Sequence, residues 1–131
     1  MMSEESSQIN VASNYQNVMQ KIDEAARRSD HSSSDITVVG VSKRIEFSRI
    51  KQAIDAGLGI IGEIVSTELK RKLPQIREYS TSIDIQIVGL MQSNKVKFAV
   101  ENCKLIQSLQ TEKILTLLNK FAQRNDVIYP V

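Results

Sequence analysis

Short apolar runs alternate with helical stripes along this chain, and that alternation limits the possible folds more than any single residue does. Apolar runs at 36–42, 60–63, 83–89 and 104–109 are each trailed by a segment whose apolar residues recur at helical spacing. The first is the clearest: Ile36-Thr37-Val38-Val39-Gly40-Val41 carries no polar alternation, lies behind a Ser/Asp-rich stretch and ends at Ser42-Lys43. An unalternating run of this kind predicts a strand buried on both faces. The trailing helices are predicted over 47–56, with Gly57 as the stop, over 66–73, halted at Pro74, from Ser93 as cap to 101, and over 112–124. A fifth apolar run occupies 127–131.

Ahead of these units, Val11, Tyr15, Val18, Met19, Ile22, Ala25 and Ala26 form one stripe of an amphipathic helix over about 7–28, preceded by a disordered start at residues 1–8. Strand–helix alternation with short connections means a parallel sheet with helices outside it. It leaves two architectures, a doubly wound open sheet or a (β/α)8 barrel cut short, since a whole barrel takes roughly 250 residues and this chain has 131. The chain is read as one domain, 1–131. With about five strands it is expected to be a truncated barrel whose open edges favour self-association.

In α/β proteins the chemistry collects at the carboxyl ends of the strands. Lys43 falls there after the first strand, Glu63 after the second, Gln92 and Asn94 beyond the third, and Ser108 after the fourth. A neutral lysine amine condenses with aldehydes. At an ordinary pKa of about 10.4 only about one lysine in a few thousand is neutral at pH 7, and burial raises that fraction. Lys43, directly after the first strand, is placed for this; the other reading is that a lysine after a strand simply points to water. No nucleophile–base pair, paired carboxylates, GxGxxG or Walker loop accompanies it, so no catalytic residue is assigned.

Composition removes other classes. A formal charge of +2 gives no electrostatic case for nucleic acid, and Lys70-Arg71-Lys72 beside Glu68 reads as a solvated helix face. One cysteine and one histidine make neither a disulfide nor a zinc site. No apolar run nears the roughly 20 residues of a membrane span. A cytoplasmic setting is expected.

The motifs together form a pattern. Val41-Ser42-Lys43, Ala53-x-x-Ala56-Gly57, Gly62-Glu63, Val88-Gly89-x-Met91-Gln92-Ser93-Asn94-Lys95-Val96-Lys97 and Ser108 occur in this order. The chain resembles the pyridoxal phosphate homeostasis proteins from about Tyr15 to Val131, most specifically in the Gln-Ser-Asn-Lys block. The resemblance implies a barrel of the alanine racemase amino-terminal type. It also implies pyridoxal 5'-phosphate held as a Schiff base on Lys43 without known catalysis, with Ser108, Glu63 and Asn94 as further cofactor contacts. The alternative is a degenerate member that no longer binds the cofactor and acts as an interaction module. Departures from the pattern are Ile64 where the family has asparagine, Glu46 for a proline, Gln86 for histidine, and Gln107 and Gln110 for histidine and aspartate. The family's phosphate-holding segment, Gly-Ser/Thr and Arg-containing, has no match here.

Overall fold

The computed structural model describes residues 9–131; the start expected over 1–8, and the first residues of the helix expected from position 7, lie outside them. Asn10 accepts the Ser13 N–H at 2.9 Å and opens α1 (Val11–Arg28), a carboxamide cap at a helix start. Four units follow: β1 (Gly40–Val41) with α2 (Phe47–Asp55), β2 (Ile60–Glu63) with α3 (Thr67–Tyr79), β3 (Asp84–Ile87) with α4 (Val96–Asn102), and β4 (Leu105–Ile106) with α5 (Glu112–Arg124). All three strand pairings are parallel and the spatial order is β1-β2-β3-β4.

That order bears on the two architectures left open above. A doubly wound sheet reverses its strand order at a switch point, so that its helices divide between the two faces. Here each strand lies beside the previous one without a reversal, and crossovers of one hand then place every helix on one face. Burial agrees. Ile61, Ile85, Ile87 and Ile106 are fully buried and share a cluster with Ile50 of α2, Leu69 and Ile76 of α3, Val96 and Ala99 of α4, and Ile114 and Leu118 of α5. Each such isoleucine contributes about 1.5–3 kcal/mol through burial.

The opposite, inner face differs. Residues alternate across a strand, and Val39, Gln86, Leu105 and Gln107 point to a hollow of about 570 Å³. The first strand therefore corrects the sequence expectation: it is paired only over Gly40–Val41, and Ile36 and Val41 are 42% and 53% exposed. The run is apolar throughout, but the described chain covers it with helices on one side only.

Three further expectations are corrected. Pro74 does not halt α3, which runs on to Tyr79. Pro74 is exposed, while Ile76 beyond it is fully buried and Arg77 donates to the carbonyls of Ile83 and Asn102. Ser93 caps no α-helix: Ser93–Lys95 is a 3-10 turn and α4 begins at Val96. Within α1, Val18 and Ala25 fall off the buried stripe, which is carried by Val11, Tyr15, Met19, Ile22 and Ala26.

Residues 127–131 form no strand. Pro130 has no N–H to give a ladder, and the segment lies along β4 through one bond, Ile106 N–H to the Pro130 carbonyl at 3.4 Å. Tyr129 anchors it by donating its hydroxyl to the carbonyls of Ala99, at 3.2 Å, and Cys103. Beneath it, burial pushes the Cys103 thiol from an ordinary 9.0 up to about 11, with the Arg77 charge pulling weakly the other way. The unfolded chain sheds this proton first, so the contribution to stability is whole below pH 9 and is lost as pH rises from about 9 to about 11. Alkylation of Cys103 at pH 8 is accordingly expected to be slow in the folded chain and to become fast on adding urea; fast labelling of folded protein would contradict its burial.

Candidate functional site

The ladder continues to the carboxyl edge of the sheet. Ser42 N–H donates to the Gly62 carbonyl at 3.0 Å, Val88 N–H to Glu63 at 3.0 Å and Gln107 N–H to Ile87 at 2.9 Å. Beyond β1 the chain folds into a turn, closed by Ile45 N–H on the Ser42 carbonyl at 3.0 Å, that presents Lys43 and Arg44. Arg44 has a φ of 63°, which a non-glycine residue adopts only when its surroundings hold it there.

Lys43 is exposed at this edge rather than buried beside apolar strand residues. Among the described residues it forms no ion pair. Of the two readings left open for this side chain, burial beside the strand or exposure to water, the structure shows the second, because the strand before it has one open face. What remains is an amine at the carboxyl end of a parallel strand, open to a soluble aldehyde.

Ser108 lies across the sheet, after β4. Its Oγ accepts the Gly89 N–H at 2.8 Å and so joins the ends of β3 and β4. A hydroxyl that accepts one bond still has its own proton to donate. Gly89 has a φ of 92°, and a Cβ there would sit 3.3 Å from Ile64 Cγ2, so the edge closes tightly between the second and third strands. Asn94 is exposed in the 3-10 turn beyond β3. Lower on the inner face, Gln107 Nε2 donates to Gln86 Oε1 at 2.6 Å, leaving an amide pair in the floor of the hollow.

Glu63 is elsewhere. It is fully buried and shares the helix-facing side of the sheet with Ile87, its register partner on β3. Its Oε2 accepts from Ser42 Oγ and, at 2.7 Å, from Lys72 Nζ, while Oε1 is buried with no partner among the described residues. Lys72 is only 3% exposed, which corrects the reading of Lys70-Arg71-Lys72 as one solvated face. The signal was present in the spacing: Leu69, Lys72 and Ile76 share the buried stripe of α3. Lys72 Nζ also donates to the carbonyls of Ser42 at 2.8 Å and Ile45 at 3.3 Å and to Glu68 Oε1 at 3.1 Å. Glu68, which in turn accepts the Arg44 N–H at 2.7 Å, has its pKa lowered, chiefly by the Lys72 hydrogen bond.

No family model matches the chain. Curated relatives do. A pyridoxal phosphate homeostasis protein of Buchnera aphidicola (from Acyrthosiphon pisum) is 36% identical over 90 residues, 69% of this chain and 44% of the relative. The protein of that name from Escherichia coli K12 is 34% identical over 110 residues, 83% of this chain and 47% of the relative. In sequence the chain is similar to the pyridoxal phosphate homeostasis proteins.

It spans about half the length of the curated family members it matches. Among solved structures, PipY of Synechococcus elongatus with pyridoxal phosphate bound superimposes with a TM-score of 0.66 at 27% identity, over 80% of this chain and 50% of PipY. A protein of Bifidobacterium adolescentis reaches 0.83 at 18% identity, over 92% of this chain and 52% of its own, and speaks for the fold alone. The pyridoxal phosphate bound in the PipY structure carries an aldehyde and a phosphate. The exposed Lys43 amine fits the first, and the free proton of Ser108 is a donor of the kind the second requires.

Proposed function

We propose that this chain is a pyridoxal 5'-phosphate-binding member of the pyridoxal phosphate homeostasis family, attaching the cofactor covalently, as a Schiff base, to Lys43 at the carboxyl edge of a (β/α) barrel portion. The observation that carries the reading is the placement of Lys43: an open amine at the end of the first parallel strand, rooted in a turn whose backbone is bonded on every side. Bound there, the cofactor would exchange its aldehyde oxygen, lost as water, for the bond to Lys43, and hydrolysis would return the free aldehyde, so a protein that holds it in this way can store it or hand it on. The chain's own residues hold it: Lys43 binds, and Ser108 and Asn94 offer a hydroxyl and an amide to its polar groups. Glu63 serves from the helix side, through Ser42, rather than by touching the ligand. No residue near Lys43 is assigned proton transfer, so the role is carriage and buffering in the cytoplasm rather than catalysis. Self-association through the open β1 edge and the inner face belongs to the same reading, because the described residues cover neither.

The test is chemical. Incubation with pyridoxal 5'-phosphate, borohydride reduction and peptide mapping is expected to place the adduct on Lys43, and Lys43→Ala is expected to lose it. Labelling spread over surface lysines, unchanged in Lys43→Ala, would overturn the assignment and leave an interaction module in its place.

A further inference from the structure

The buried Lys72 has no part in holding a ligand, yet its bonds converge on the one turn that does. An ammonium has three protons to donate; around Lys72 Nζ stand the carbonyls of Ser42 and Ile45 and the carboxylates of Glu63 and Glu68, all within 3.3 Å. The two carbonyls bracket Lys43 and Arg44. Glu63 grips the same turn by accepting from Ser42 Oγ, and Glu68 by accepting the Arg44 N–H. Charges buried in this way are a poor means of stabilising a fold, because apolar residues of similar volume serve as well or better. What they do supply is direction: they fix the backbone of a turn that carries a residue at a positive φ.

We propose that Lys72, oriented by Glu63 and Glu68, is a positioning residue for Lys43, clamping the turn 42–45 so that the Lys43 amine leaves the sheet edge in one direction. The proposal rests on Lys43 being the cofactor lysine, and it adds a residue that never meets the cofactor. An exposed lysine on a loose turn samples a wide volume and competes poorly with other surface lysines, whereas one with a fixed root gains in effective concentration at the site.

The full chain is compared with Lys72→Met and with Glu63→Leu/Lys72→Met, the second removing both charges so that folding is kept without an orphaned carboxylate. Two readouts are taken. The share of borohydride-fixed pyridoxal phosphate on Lys43, relative to all other lysines, is expected to fall at least about fivefold in both variants. Exchange of the Arg44 and Ile45 amide protons is expected to quicken about tenfold or more, with the amides of β3 unchanged. A merely structural role would leave the labelling share of the folded double variant as it was. Unchanged exchange at Arg44 and Ile45 in a folded variant overturns the proposal, and so does faster exchange with an unchanged Lys43 share. If Lys43 takes no label even in the unaltered chain, the cofactor reading fails, and the exchange measurement alone decides whether Lys72 clamps the turn.

Discussion

Glu63→Leu, made with Lys72 intact, is expected to lower the unfolding free energy by about 3–5 kcal/mol. That is a large part of the roughly 5–15 kcal/mol that holds a domain together. Lys72 Nζ would keep two backbone carbonyls and the partly exposed Glu68, but its one fully buried counter-charge would be gone. Glu63→Leu/Lys72→Met is expected to recover most of the loss, because neither charge then needs solvation that the core cannot give. Urea unfolding of the two single variants and the double measures this as a coupling energy. A cost below about 1 kcal/mol for Glu63→Leu would mean that Lys72 reaches water. The double variant also separates stability from placement, since it should melt near the unaltered chain yet leave the turn 42–45 unclamped.

The residues of that cluster show where the sequence could be read and where it could not. Unit order, parallel pairing and the edge position of Lys43 all follow from short apolar runs and from apolar spacings of about four, which are local. Glu63 and Lys72 are nine residues apart, and only the crossover from β2 into α3 brings them together. Glu63 reads as a cofactor contact at a strand end and Lys72 as part of a solvated basic run, and neither reading pairs them. The helix stripe that holds Lys72 also runs through Pro74, and cutting the helix at the proline hid Ile76, the residue that makes the stripe visible as buried. Tertiary burial there outweighs a propensity cost of about 3 kcal/mol for an interior proline. The opposite error fell on 36–42. An apolar run does not say whether both of its faces will be covered; that depends on how many layers the rest of the chain supplies. Ser108 is placed after the fourth strand by its position, whereas its bond to Gly89 N–H is a link across two strands that no local pattern encodes.

One sheet with two unlike faces should answer in opposite ways to substitutions on each. Ile85 is fully buried against the helices, and Ile85→Ala is expected to cost about 2–5 kcal/mol, as removal of a large core side chain does. Val39 is half-buried on the other face, at the hollow it shares with Leu105 and Val131. Val39→Asp is expected to change the stability of a single copy by no more than about 1 kcal/mol, because its carboxylate keeps access to water. Its effect should appear in assembly instead. In the self-association proposed above a second copy meets this face beside the β1 edge, and a buried, unpaired carboxylate opposes that contact by enough to weaken association at least about tenfold. Sedimentation over a range of concentrations reads the second effect and urea unfolding the first. Should Val39→Asp unfold the chain as Ile85→Ala does, the inner face is already filled within one copy, and the one-sided sheet described above is wrong. Should it leave a concentration-dependent assembly untouched, the copies meet through the helices, and the inner face stays open as the approach to Lys43.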